Sequence, residues 1–242
     1  MSVPSFPRGL IQPEGSFRFS ADALLLAAFA PGEGVRRAAD LGTGCGVVPF
    51  GLALRFPELV CTGLDKEAAL IDAARANAHM LGLGARAGFV QGDVADTRLL
   101  ASLGGGTCEL VTANPPYRLT GTGRRISSPA RRTALEAPQG VLAEFARAAA
   151  FLLRHHGRFA CAFLPARLGD LFAALRAARL EPRRLRSVHP RPGAPAGLVL
   201  LEARKNARPD LMMEAPLTLY AGARGQSFRR EALAFCPWLG TV

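Results

Sequence analysis

Apolar residues in this chain follow two rhythms that alternate from about residue 38 onward: short continuous runs rich in Val, Leu, Ala and Cys, and longer stretches in which apolar residues recur at helical spacing. Strand-length runs alternating with helical patterns indicate βαβ units and a mostly parallel sheet, because each crossover must cover a sheet face. Strands are expected over 38–41, 60–64, 87–91 and 109–113, with helices over 47–56 and 67–81 between them. Pro57 and Gly82 supply the stop signals for the two helices. Pro115 and Pro116 end the fourth strand, since a residue without an N–H cannot continue a central ladder.

The stretch 118–138 is rich in Gly, Ser, Pro and Arg and carries little apolar periodicity, so it reads as a long loop, and loops of that length are commonly functional. Beyond it the pattern predicts a helix over 139–153, a strand over 158–164 and a helix over 168–179. Two more strands, 183–189 and 198–203, are close enough to form an antiparallel hairpin at the sheet's edge, with Pro190, Pro192, Gly193 and Pro195 in the turn. The whole reads as a single α/β domain over 1–242, with a lid-like N-terminal segment 1–35, a core 36–205 and a C-terminal extension 206–242. Within the first segment, Ser20 precedes a run of leucines; the stretch can lie over a site as a lid or form a helix with Ser20 as its N-cap.

In an open parallel sheet, ligands settle beyond the carboxyl ends of the strands, and the chemically suggestive residues all fall there. Asp40, Gly42, Thr43, Gly44 and Gly46 follow the first strand, Asp65 with Lys66 the second, and Asp93 with Val94 the third. Glycines let backbone approach a ligand closely. The spacing nevertheless fails the dinucleotide fingerprint, because Val47 stands where its third glycine or alanine would be. Asp65 can accept hydrogen bonds from both hydroxyls of a ribose, and Asp93 from the amino group of an adenine. Asp65 or Asp93 alone is more often a surface acid or a helix N-cap; three acids with the glycines at successive strand ends describe a pocket for an adenosyl group without phosphates, that is, for S-adenosyl-L-methionine.

Asn114-Pro115-Pro116-Tyr117 is the most specific signal. A conjugated amino nitrogen is a weak nucleophile because its lone pair is delocalised, and it must be turned toward tetrahedral geometry before it can attack. The Asn114 side-chain oxygen and the Pro115 carbonyl can each accept one N–H and aim that lone pair. Asn114 also borders the cofactor pocket, Pro116 stiffens the backbone, and Tyr117 offers a face on which a base can stack. No catalytic histidine is needed: His79, His155, His156 and His189 are scattered, and no metal constellation is expected.

Composition adds a partner. A formal charge of +11 is the footprint of a chain that meets phosphates, although nearly all of the basic residues are Arg, and a GC-rich genome would produce the same excess. Arg18 and the loop residues Arg124, Arg125, Arg131 and Arg132 are placed where a polyanion would pass. Five cysteines, odd in number and never paired as C-x-x-C, suggest neither disulfides nor zinc and fit a reducing compartment. No signal peptide or membrane-length apolar run is visible, so a cytoplasmic protein is expected.

Taken together, residues 19–26, the loop 40–46 and the tetrapeptide 114–117 resemble the bacterial tRNA1(Val) adenine-37 N6-methyltransferase family within the class I S-adenosylmethionine-dependent methyltransferases. The resemblance implies a Rossmann-like, seven-stranded sheet with an antiparallel last hairpin and helices on both faces. It also implies methyl transfer to an exocyclic amino nitrogen, adenine N6 in tRNA. Arg118 departs from that pattern, standing where such proteins often have a second aromatic. A protein-glutamine N5-methyltransferase uses the same Asn-Pro-Pro-Tyr logic but usually carries a helical N-terminal domain larger than residues 1–35. A DNA adenine methyltransferase would bring a target-recognition domain, and a catalytically silent RNA-binding protein would keep only the fold.

Overall fold

The computed structural model describes residues 6–16, 18–115, 140–222 and 227–241. Its centre is a nine-stranded sheet: β1 (Arg37–Leu41), β2 (Val60–Asp65), β3 (Ala87–Gln91), β4 (Cys108–Ala113), β5 (Leu153–Phe163), β6 (Leu180–His189), β7 (Leu198–Lys205), β8 (Met212–Met213) and β9 (Leu217–Thr218). The order is β3-β2-β1-β4-β5-β7-β6-β8, with β9 also on β6. β7 runs antiparallel to both of its neighbours, so β6 runs with the rest of the sheet. One expectation is thereby corrected: among the described residues the sheet has nine strands rather than seven, because the two-residue β8 and β9 add parallel to β6. The antiparallel β6–β7 hairpin ends the run of long strands as expected, with β7 between β5 and β6.

Each face of the sheet has its own apolar core. One is covered by α1 (Ala21–Phe29), α2 (Val47–Arg55), α3 (Ala68–Met80) and the late helix α7 (Arg230–Phe235). The other lies under α4 (Thr97–Ser102), α5 (Val141–Leu152) and α6 (Leu168–Ala177). Alternation within the strands follows: Ala38 and Leu110 face the first core, Ala39, Leu41, Val111 and Ala113 the second.

Local chemistry sets the boundaries. Ser20 caps α1, its hydroxyl accepting from the Asp22 N–H at 3.4 Å. The helix is no surface cover: Leu24, Leu25 and Leu26 are at most 1% exposed, and α1 packs along α2, β5 and β7. α3 ends as Gly82 predicts, at φ +66°, with its N–H on the His79 carbonyl and the Leu83 N–H on the Ala78 carbonyl. The C-terminal extension closes back on the N-terminal segment: Trp238 meets Phe6 edge-on at 5.2 Å between ring centres, and Thr241 Oγ1 donates to the Phe6 carbonyl.

Candidate functional site

The chain leaves β1 toward β2 and β3 on one side and returns to β4 on the other, so strand order reverses between β1 and β4. A crevice opens at the carboxyl end of such a switch point. Residues 42–46 leave β1 on one side of it, and Asn114 leaves β4 on the other, with Leu41 and Ala113 in register as the last paired residues.

The glycine loop is built for close approach. Gly42, Gly44 and Gly46 take φ of +68°, +56° and +93°, a region that side chains rarely adopt. At Gly46 a Cβ would stand 2.6 Å from the Phe50 ring and 2.9 Å from Phe89, whereas at Gly44 it would meet nothing within 4 Å. Gly63 in β2 makes room underneath: a Cβ there would lie 2.6 Å from Thr43 Oγ1. The loop's amides are mostly engaged. Gly42 and Thr43 donate to the Leu64 carbonyl (2.8 and 3.0 Å), Gly46 to the Thr43 carbonyl (3.1 Å), and Gly44 to Asp65 Oδ2 (2.9 Å).

Asp40 is a buried acid, 2% exposed, and its register partners are Gly63 and Thr112. Thr112 Oγ1 donates to Asp40 Oδ1 at 2.7 Å. Burial pushes the Asp40 carboxyl up to about 7; the Thr112 and Thr43 hydroxyls pull it back, and the Asp65 charge pushes it further. Thr43 stands beside the carboxyl without reaching hydrogen-bond geometry, which leaves its buried hydroxyl without a partner among the described residues. Asp65 bridges two elements, because Oδ2 holds the loop while Oδ1 accepts from the Glu67 N–H (3.0 Å) ahead of α3. Each of these oxygens keeps a second lone pair.

The remaining candidates are spread more widely. Asp93 is exposed and accepts from the Ala95 N–H at 2.9 Å, Val94 is half-buried against the second core, and Lys66 and Arg18 are exposed. Asn114 is half-buried and Pro115 buried at the end of β4. Pro116, Tyr117, Arg124, Arg125, Arg131 and Arg132 lie outside the described residues. Among the described residues no group of His, Cys, Asp or Glu could hold a metal ion, and no helix is long and apolar enough to cross a membrane. A separate cavity of about 130 Å³ opens at the opposite end of the sheet, lined by Arg37, Ala38, Val60 and Cys108 among others, and none of the candidates borders it.

Four residues with a part in this geometry escaped sequence reasoning: Gly63, Thr112, Asn77 and Phe145, whose ring lies 3.3 Å from where a Gly42 Cβ would stand. Two carried a signal. Thr112 interrupts an apolar strand, and Asn77 sits on the stripe of α3 formed by Leu70, Ile71, Ala74 and Ala78, where a buried amide must find partners.

Strand order, switch point and glycine loop define a Rossmann-like α/β fold. Residues 20–161 match the methyltransferase small domain family, and the chain belongs to it. It is 32% identical over 118 residues to a tRNA1(Val) (adenine(37)-N6)-methyltransferase of Porphyromonas gingivalis, covering 47% of this chain and 46% of that protein. It is 36% identical over 124 residues to a release factor glutamine methyltransferase of Chlorobaculum tepidum, covering 49% and 42%. The chain thus spans less than half the length of these relatives. Over 90% of its length, and 96% of the other chain, it shares its fold with the crystal structure of a predicted O-methyltransferase from Agrobacterium tumefaciens, at a TM-score of 0.72 and 24% identity.

Proposed function

We propose that this protein transfers a methyl group from S-adenosyl-L-methionine to an exocyclic amino nitrogen, adenine N6 in tRNA. The observation that carries the cofactor reading is the donor set of the glycine loop. A pyrophosphate needs free backbone N–H groups, yet those of Gly42, Thr43, Gly44 and Gly46 already serve protein acceptors. What borders the loop instead is the Asp65 carboxylate, whose Oδ2 takes the Gly44 N–H and whose charge repels phosphate and favours a cation. The open space at Gly44, where a Cβ would meet nothing within 4 Å, leaves a close approach to the backbone for a ligand.

In this reading Gly42, Thr43, Gly44 and Gly46 face the methionine side with Asp40 beneath them. Asp65 takes the ribose hydroxyls on its remaining lone pairs, while Lys66, Asp93 and Val94 border the adenine. When bound, the cofactor supplies a methyl carbon on a sulfonium that an amino nitrogen can attack. Asn114 Oδ1 and the Pro115 carbonyl hold the two N–H groups of the target, Pro116 fixes the turn, and Tyr117 stacks on the base. The target nitrogen becomes acidic on methylation and can lose its proton to water, so no strong base is required. Arg18, Arg124, Arg125, Arg131 and Arg132 contact the RNA backbone.

A second reading, transfer to a glutamine amide, draws on the Chlorobaculum tepidum relative and uses the same pair of acceptors, because an amide NH2 presents the same two donors. Purified protein incubated with labelled S-adenosylmethionine and either unmodified tRNA or peptide-chain release factor separates the two. Label in tRNA supports the proposal; label confined to the release factor replaces it with the second reading, and no binding of the cofactor overturns both.

A further inference from the structure

Asn77 lies far along α3 from the acids of the site, yet it is 0% exposed and spends three of its four hydrogen-bonding positions on two distant stretches of chain. Its Oδ1 accepts from the Ile11 N–H at 2.8 Å, and Nδ2 donates to the Ile11 carbonyl at 3.1 Å and to the Cys45 carbonyl at 3.1 Å. One planar amide therefore clamps the N-terminal segment to the middle of the glycine loop. Phe6 and Trp238 pin the beginning of that segment, and Gln12 Oε1 accepts from the Phe19 N–H where the chain turns toward α1.

We propose that Asn77 is a positioning residue for the cofactor loop, and that docking of Ile11 on it sets how tightly the loop binds S-adenosylmethionine. The geometry gives the reason. A buried amide that loses Ile11 is left with an unsatisfied donor and acceptor, and the cheapest relief is rotation toward other partners or water, which releases the Cys45 carbonyl. Cys45 lies between Gly44 and Gly46, whose positive φ values, with the Gly46 N–H bond to Thr43, shape the loop. The backbone of Ile11 thus acts on the loop through the Asn77 side chain. This inference rests on the cofactor reading above, but the coupling it asserts belongs to the cofactor-free chain as well.

Ile11→Pro removes the N–H that Asn77 Oδ1 accepts while sacrificing little packing, because Ile11 is 48% exposed. In the cofactor-free protein, amide exchange at Gly46 should accelerate roughly tenfold in Ile11→Pro, the loss of about one buried hydrogen bond. Unchanged exchange at Gly46 overturns the coupling whether or not the protein binds the cofactor. Calorimetric affinity for S-adenosylmethionine should fall roughly tenfold in Ile11→Pro and in Asn77→Ala, and little further in the double variant, since both cut one connection. KM for the cofactor should rise while kcat stays put. Additive losses, or lowered melting temperatures with unchanged affinity, reduce Asn77 to a structural residue and overturn the proposal. Where a variant does not fold, the wild type decides: S-adenosylhomocysteine should slow exchange of the Ile11 amide, and an Ile11 amide indifferent to bound S-adenosylhomocysteine overturns it. If wild type binds neither cofactor nor product, the cofactor reading fails, and exchange at Gly46 still tests the clamp separately.

Discussion

Replacing Asp40 by Asn makes the protein's pH dependence a direct report on the acid buried below the glycine loop. In the folded chain the Asp40 carboxyl is raised from 3.8 to about 7, chiefly by burial. Around it stand Thr112 from β4, Thr43 from the loop, and Asp65 and Cys61 from β2. A folded value above the unfolded one means that the native state keeps a proton the unfolded chain gives up. Stability from this group is therefore complete below about pH 4 and is lost as pH rises toward 7. A shift of about three pKa units corresponds to about 4 kcal/mol over the full window, of which about 2–3 kcal/mol falls between pH 5 and 8. The amide introduced by Asp40→Asn would stay neutral, keep an oxygen for the Thr112 hydroxyl and direct its NH2 toward Thr43, whose hydroxyl has no partner among the described residues. Denaturant unfolding of both proteins at pH 5, 6, 7 and 8 should show wild-type stability falling more steeply with pH, the two curves diverging by about 2–3 kcal/mol by pH 8. Parallel curves would mean that Asp40 titrates at its ordinary value and that the site is wetter than this packing implies.

Other substitutions test neighbouring parts of the site. Asn114→Ala should lower turnover roughly a hundredfold while cofactor affinity, read by calorimetry, stays within about threefold, because the proposed function puts its side chain on the amine rather than on the cofactor. Gly46→Ala should cost about 2–4 kcal/mol, from the positive φ together with the clash on Phe50 and Phe89, and Gly44→Ala only about 1 kcal/mol, since its Cβ meets open space. Thermal melts showing equal losses would contradict that contrast. Changing Arg124 and Arg125 together to Ala should weaken tRNA binding and flatten its dependence on salt; an unchanged slope of log affinity against log salt removes them from the RNA contact.

Much of this architecture is legible in the residue pattern, and the exceptions have physical causes. β3 spans 87–91 as the apolar run predicts, and β1, β2, β4, α2 and α3 differ from expectation by only a residue or two at their ends. Strand β5 begins earlier, at Leu153, through a polar stretch that contains a register shift against β4 and His156 at φ +59°, features that periodicity cannot announce. Helix α4 is six residues long, too short for an apolar stripe, and its only sign was Asp96, whose carboxylate accepts from the Arg98 and Leu99 N–H groups. β8 and β9 owe their existence to β6 rather than to their own sequence. The glycines and acids of the candidate site stand at the strand ends where their spacing placed them, because glycine and carboxylate chemistry shows in one dimension. Thr112 and Asn77 showed only as polar residues in apolar runs and Gly63 not at all, because their contacts depend on what β1, the loop and residue 11 bring to them. Ser20 resolved an open choice toward a helix cap, with α1 inside the core.

The central claim, that Asn114 and Pro115 present an adenine amino group to a sulfonium methyl, is tested most directly by mass spectrometry of nucleosides from tRNA of cells with and without the gene. Loss of N6-methyladenosine from one tRNA in the deletion, restored by the wild-type chain and not by Asn114→Ala, is the predicted result. An unchanged nucleoside profile, or a methylated glutamine lost instead from a release factor, would contradict it.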